Sequence, residues 1–103
     1  MGYRSEVAIC IRAEDEEKFL STLEPNDKDW DTRKESESSI VFHWEWVKWY
    51  ESYPVTQKIE SAMRSLADYH FIRIGEDYED VVEEFEGCGL DFGLGISRCI
   101  SGI

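Results

Sequence analysis

Basic residues are scarce in this chain. It has 11 lysines and arginines against 23 aspartates and glutamates, so its 103 residues carry a formal net charge of −12. Such a field repels nucleic-acid phosphates and anionic membranes, and it attracts basic protein surfaces over long range. A direct nucleic-acid binder of this size needs a basic stripe, and the sequence has none. The charge predicts a protein partner with a basic surface and no direct nucleic-acid or membrane contact; a role in solubility alone is the alternative.

Cysteine is equally sparse. Cys10, Cys88 and Cys99 form an odd number without a C-x-x-C pair, a pattern that suits a reducing compartment better than a disulfide scaffold. No run of about 18 apolar residues occurs, and the N-terminal residues do not resemble a signal peptide. The sequence therefore predicts a cytoplasmic protein.

Patterns typical of metal or cofactor sites are also missing. The three cysteines, His43 and His70 lack zinc-ligand spacing, and the acidic residues 76–80 lack the central glycine of a calcium loop. The glycines around Cys88 precede a predicted strand, whereas a phosphate-binding loop precedes a helix. We expect no metal and no cofactor.

The apolar residues that are present predict one folded domain, residues 1–103. Hydrophobic content is 42% and aromatic content 14%, which is too high for a disordered chain. Periodicity predicts strands over 3–12, 30–33, 40–50, 71–74 and 90–101, a helix opened by the acidic residues 14–17 and ended by Pro25, and a second helix entered at Pro54. This order predicts an α+β fold: an antiparallel sheet of four to five strands with two helices on one face, ferredoxin-like (β-α-β-β-α-β) with an added C-terminal strand.

The segment 40–50 is unusually rich in aromatic residues. Period-two alternation places Trp44 and Trp46 on one face and Trp49 on the other. If the first pair is buried, Trp49 and Tyr53 face outward as anchors of a protein interface. The alternative is that helices cover both faces and every tryptophan belongs to the core.

The residues 76–86 are dominated by carboxylates and predict one helical turn or an irregular loop. Beside an exposed tryptophan, they would form a rim that steers a basic partner toward the site. The candidate binding residues are therefore Trp49, Tyr53, Glu76, Asp77, Glu79, Asp80, Glu83 and Glu84.

Three stretches carry a resemblance: Met-Gly-Tyr-Arg-Ser-Glu-Val at 1–7, His-Trp-Glu-Trp-Val-Lys-Trp-Tyr at 43–50, and Phe-Ile-Arg-Ile-Gly-Glu-Asp at 71–77. They are similar to a group of small bacteriophage and prophage proteins. The resemblance implies a contact with a host or defence protein, in the host cytoplasm, and it transfers no catalytic residue.

Three hypotheses about function follow. The leading one is a binding module that inhibits a host or defence protein by occluding a basic, nucleic-acid-handling surface. The second is a self-associating structural or accessory protein, a homodimer formed through Trp49 and the last strand. The third is an enzyme built on Cys88 or His43, which we do not expect because acidic neighbours disfavour a reactive thiolate and an apolar strand favours a structural imidazole.

Overall fold

The computed structural model describes residues 3–36, 38–77, 80–86, 95–96 and 100–101. In chain order the elements are β1 (Ser5–Arg12), α1 (Glu16–Leu20), β2 (Thr32–Glu35), β3 (Ser39–Val47), α2 (Pro54–Arg64), β4 (Tyr69–Gly75), β5 (Val81–Glu86), β6 (Gly95–Ile96) and β7 (Ile100–Ser101). Single 3-10 turns at Ala13–Asp15 and Pro25–Asp27 flank α1. The predicted α+β class is confirmed.

Five strands form one antiparallel sheet in the order β2-β3-β1-β4-β5. The central strand β1 alternates as its sequence predicts, with Val7, Ile9 and Ile11 directed to one face. Phe19 of α1 and Ile59 and Met63 of α2 belong to the same buried cluster, so both helices cover that face. Phe42 and Trp44 of β3 and Phe71 of β4 complete this main core.

The second face of the sheet carries a smaller apolar cluster centred on Ala8, Cys10 and Ile72, all fully buried. Strand β7 lies next to β1. Burial raises the pKa of the Cys10 thiol.

A β-bulge in β3 changes the side-chain phase of the aromatic segment. Val7 pairs with Trp44, but Ser5 pairs with Val47, so two residues of β3, Glu45 and Trp46, oppose the one residue between them on β1. Before the bulge, Trp44 lies in the main core; after it, Val47 and Trp49 take that side. The extra residue leaves Trp46 54% exposed.

Two segments differ from their predicted structure. Residues 81–86, expected to form a helical turn or loop, are the edge strand β5, because they pair in register with β4 from Val81–Ile74 to Glu86–Tyr69. The expected continuous strand over 90–101 is wrong in its described part, since β6 and β7 pair with each other antiparallel as two short strands. The remainder of that prediction lies outside the described residues.

No helix in the described part of the chain is long and apolar enough to cross a membrane.

Candidate functional site

Trp49, expected to face outward, is part of the main core. It is 7% exposed, and its ring lies 5.1 Å from Trp44 and 6.3 Å from Phe71 between ring centroids. Its indole Nε1 donates a 2.9 Å hydrogen bond to Glu60 Oε2 on α2. The prediction of an exposed Trp49 is therefore wrong, because the bulge turns this side chain inward, and a homodimer cannot use its indole without opening the core.

Tyr53 is 37% exposed, as predicted, and its ring packs edge-on against Tyr50 with 4.9 Å between centroids. The exposed indole of this region belongs instead to Trp46. Period-two alternation assigns Trp46 to the core, and only recognition of the bulge would have identified it. No sequence signal for that bulge, such as a glycine, is present at residues 44–47.

Those predicted acidic residues that the structure describes lie in the β4–β5 turn and on β5, and together with Glu86 we call them the acidic flank. Glu76 and Asp77 are exposed in the turn, and Glu76 Oε2 accepts a 2.6 Å hydrogen bond from the backbone N–H of Arg4. Glu79 lies outside the described residues. The flank therefore spans the turn and the whole edge strand.

Tyr3 ties the acidic flank to the loop that follows β3. Its hydroxyl donates a 2.6 Å hydrogen bond to Asp80 Oδ2 and accepts one of 3.0 Å from the backbone N–H of Asp77. Its own backbone N–H donates to the hydroxyl of Tyr50 at 2.6 Å. The hydrogen bond to Asp80 raises the pKa of Tyr3. This residue, which sequence reasoning did not select, positions three of the segments around the site.

Two arginines hold carboxylates on the face of β5 that the helices cover. Arg73 binds Asp80 through both terminal nitrogens, at 3.1 and 3.0 Å, and Arg64 of α2 binds Glu84 at 2.9 Å. Hydrogen bonds from Arg73 lower the pKa of Asp80, and those from Arg64 lower the pKa of Glu84. These two carboxylates are consequently part of the framework, with much of their charge compensated.

Glu83 points to the opposite face of β5, where its Oε2 lies 2.7 Å from Nε2 of the buried His70. The imidazole of His70 stacks on Phe85, with 3.9 Å between centroids. Glu83 and Glu84 therefore belong to different faces of the edge strand, and the acidic flank wraps around that edge.

A cleft of about 480 Å³ opens between the loop after β3, α2 and the strands β4 and β5. Three predicted site residues, Trp49, Asp80 and Glu84, line it together with Tyr3 and Tyr50. Its charged lining consists of four carboxylates and two guanidiniums: Glu51, Glu60, Asp80, Glu84, Arg64 and Arg73. A basic side chain is the ligand group that this excess of negative charge favours.

His43, the one candidate catalytic residue that the structure describes, does not line this cleft. His43 is buried on the second face and hydrogen-bonds Glu6 at 2.8 Å, a partner from β1 that its neighbours in sequence do not indicate. Cys88 lies outside the described residues. Among the residues that the structure describes, no group of three or more histidine, cysteine or acidic side chains is arranged to hold a metal ion.

Acidification is expected to weaken the fold through Asp80 and Glu84. Their pKa values lie below the ordinary 3.8 and 4.5 in the folded state, so each stabilises the fold above its ordinary pKa, and this contribution is lost as the pH falls through the folded-state pKa. Urea unfolding at about pH 6 and about pH 3 measures the loss. It should be smaller for Asp80→Asn than for the wild type. Asp77→Asn is the matched control, and equal losses in both variants would contradict the assignment.

Searches of protein-family models, curated proteins and solved structures found no match to this chain, so the site is interpreted from its own residues.

Proposed function

We propose that this protein is a non-catalytic binding module that docks its acidic flank on a basic surface of a partner protein. The observation that carries the proposal is the formal net charge of −12 together with exposed carboxylates on the flank. Asp77 and Glu86 are exposed and have no ion-pair partner among the described residues, so they are free to meet cationic side chains. Phe85, next to Glu86 on β5, is 61% exposed and supplies apolar contact area.

Some carboxylates of the acidic flank are paired with arginines and others are solvated, and this difference supports the proposed role. Asp80 and Glu84 are held by Arg73 and Arg64 and keep the turn and the edge strand in place. The outermost carboxylates are solvated, and charges of that kind mainly increase the rate of association and select a partner of opposite sign. Burial of Phe85 would then slow dissociation. The flank thus combines long-range attraction with a short-range apolar contact.

The partner we propose is a host or defence protein whose basic surface otherwise contacts nucleic acid. Surface carboxylates compete for the same lysines and arginines that bind phosphates, so occlusion needs no chemical step. A host or defence partner is the part of this proposal that comes from the resemblance of residues 1–7, 43–50 and 71–77 to small bacteriophage and prophage proteins. Inhibition by occlusion is the mechanism that follows.

A charge-reversal pair tests where a basic ligand binds. With a fluorescent octalysine peptide as the probe, Asp77→Lys should weaken binding at low salt about fivefold more than Glu17→Lys, because Asp77 lies on the flank. Glu17 is exposed on α1, and its substitution changes the net charge by the same amount. Binding is measured by fluorescence anisotropy, and it should weaken steeply as salt is added.

Two results would contradict the proposal. If both variants weaken octalysine binding equally, only the net charge acts and the flank is not a site. If the wild-type protein does not bind octalysine at low salt, no basic surface is recognised. A further arm uses a labelled oligonucleotide bound to octalysine, which the wild-type protein should release and Asp77→Lys should release less.

A further inference from the structure

Among the residues that the structure describes, no strand pairs with the outer backbone edge of β5, which lies on the acidic flank. Strand β5 is the last strand of the five-stranded sheet, and the backbone N–H of Gly75 donates a 2.8 Å hydrogen bond to the carbonyl of Asp80 in register with the β4–β5 pairing. In an antiparallel ladder, hydrogen-bonded and non-hydrogen-bonded pairs alternate. The N–H and C=O groups of residues 82, 84 and 86 therefore point to β4, and those of Val81, Glu83 and Phe85 point outward.

The three residues with outward backbone groups also share one face of the sheet. Val81 is 39% exposed and Phe85 61%, and Glu83 lies between them. A strand added to this edge would place its own alternate side chains directly opposite these three. The matching pattern in that strand is apolar, basic, apolar at every second residue.

Charge identifies what kind of strand fits. The six residues of β5 include three glutamates and no basic residue. A second copy of β5 is a poor partner, because symmetrical antiparallel pairing centred on Glu83 or on Glu84 puts two identical carboxylates opposite each other. Glutamates on an edge strand thus oppose self-pairing and favour a basic strand.

The opposite edge strand β2, taken from a second copy of the chain, is a weaker partner for the edge of β5 than a basic segment of another protein. Strand β2 carries Arg33 and Lys34, but the Arg33 guanidinium is already bound by Glu16 at 2.6 and 2.8 Å and by Glu35 at 3.2 Å. Much of the positive charge of that edge is therefore compensated within its own molecule. A basic segment from another protein has no such internal partner.

We propose that β5 is a strand-addition site, which takes an extended basic segment of the partner protein as a sixth strand. This inference rests on the proposed function, because it specifies how the basic partner binds the acidic flank. Main-chain hydrogen bonds from residues 81, 83 and 85 supply affinity, and the side chains opposite them supply specificity. Glu83 receives the central basic side chain through Oε1, the oxygen that does not contact His70, with Val81 and Phe85 contacting apolar side chains on either side of it.

Backbone methylation of a peptide probe separates strand addition from simple charge attraction. The probe is the hexapeptide Lys-Val-Lys-Lys-Thr-Val, which in antiparallel orientation places lysine opposite Glu83 and valine opposite Val81 and Phe85. The control peptide has the same sequence, with the backbone nitrogens of those three residues methylated. Its charge is almost unchanged, but it cannot donate to the edge, so we expect binding to fall about tenfold by calorimetry.

A matched pair of variants tests the same edge from the protein side. Glu83→Gln and Glu83→Pro both remove the carboxylate, but only proline removes the outward N–H and blocks the approach of a strand. Proline is tolerated at an edge position whose N–H faces solvent, so the ladder to β4 is retained. We expect Glu83→Pro to bind the unmethylated probe about tenfold more weakly than Glu83→Gln.

The outcomes distinguish this inference from the proposed function. Equal binding of the methylated and unmethylated peptides, with steep salt dependence, would overturn strand addition and leave electrostatic docking intact. No binding of either peptide at low salt would overturn both. Sedimentation velocity should show a monomer, and a dimer or filament abolished by Glu83→Pro would identify a second copy as the occupant and overturn the basic partner. If Glu83→Pro fails to fold, the methylated peptide still decides.

Discussion

Trp49→Ala should lower the free energy of unfolding by about 3–5 kcal/mol, whereas Trp46→Ala should change it by less than about 0.5 kcal/mol. The two residues have the same side chain and lie three positions apart, but the bulge opposite residue 6 sends Trp49 into the core and Trp46 to the surface. Removing Trp49 leaves a cavity beside Trp44 and Phe71 and an unpaired acceptor on Glu60.

Urea unfolding followed by far-ultraviolet circular dichroism measures both variants, because fluorescence itself depends on the tryptophans removed. Trp46→Ala is the matched control for the loss of one indole. A large cost at Trp46 and a small one at Trp49 would mean that β3 keeps an uninterrupted period of two. Similar costs at both positions would place both indoles in the core and contradict the described bulge.

The same bulge marks where sequence reasoning stops being reliable. Ile40, Phe42 and Trp44 lie at the period-two spacing of a regular strand, and all three are buried in the main core. One extra residue reverses the assignment of everything that follows it in the strand. Its cause is the pairing of β3 with β1, a neighbour more than 30 residues away in sequence, so no local pattern reveals it.

The acidic strand β5 was missed for a different physical reason. Six residues with three glutamates have low strand propensity, which favours a loop in any local interpretation. The strand forms because Arg64, His70 and Arg73, from α2 and β4, supply positive or hydrogen-bonding groups to the carboxylates at 80, 83 and 84. These partners become visible only once β4 and β5 are paired.

Elements whose stability depends on local features were predicted best. The helix α2 begins at Pro54, where proline fits the first turn, and its buried residues Ile59, Ala62 and Met63 lie at the three- and four-residue spacing of one apolar stripe. The stripe continues beyond Arg64, where the helix ends, because Leu66 is buried in the connection and Tyr69 already belongs to β4. Burial thus extends along the chain further than the helix itself.

The candidate site was predicted in composition but not in arrangement. Tyr53, Glu76 and Asp77 are at the surface, as predicted. Trp49 is buried and Trp46 is exposed, which is the reverse of the prediction. Tyr3 could not be selected from the sequence, because its role depends on hydrogen bonds to distant residues. Tyr50 lies 47 positions away along the chain, and Asp77 and Asp80 lie more than 70 positions away. Long-range contacts of this kind decide which carboxylates are compensated and which are free to bind.

Gly75→Ala should lower the free energy of unfolding by about 1–3 kcal/mol, although alanine is normally as good as glycine or better in a strand. Gly75 ends β4, and a Cβ at this position would collide with the Tyr3 hydroxyl and the Asp80 carboxylate. The collision can be relieved only by displacing both side chains, which disturbs the hydrogen bond between them. The glycine is therefore required by the side chains that pack over it.

A double-mutant cycle with Tyr3→Ala isolates that contact. In the Tyr3→Ala background, Gly75→Ala should cost at least about 1 kcal/mol less than in the wild type, because the obstructing ring has already been removed. Tyr3→Phe is the matched control: it removes the hydroxyl but keeps the ring, whose Cε1 also lies within the space of the new Cβ, so part of the cost should remain. Additive costs in the Tyr3→Ala cycle would show that the Asp80 carboxylate, and not Tyr3, excludes a Cβ at this position, which would contradict the part assigned here to Tyr3.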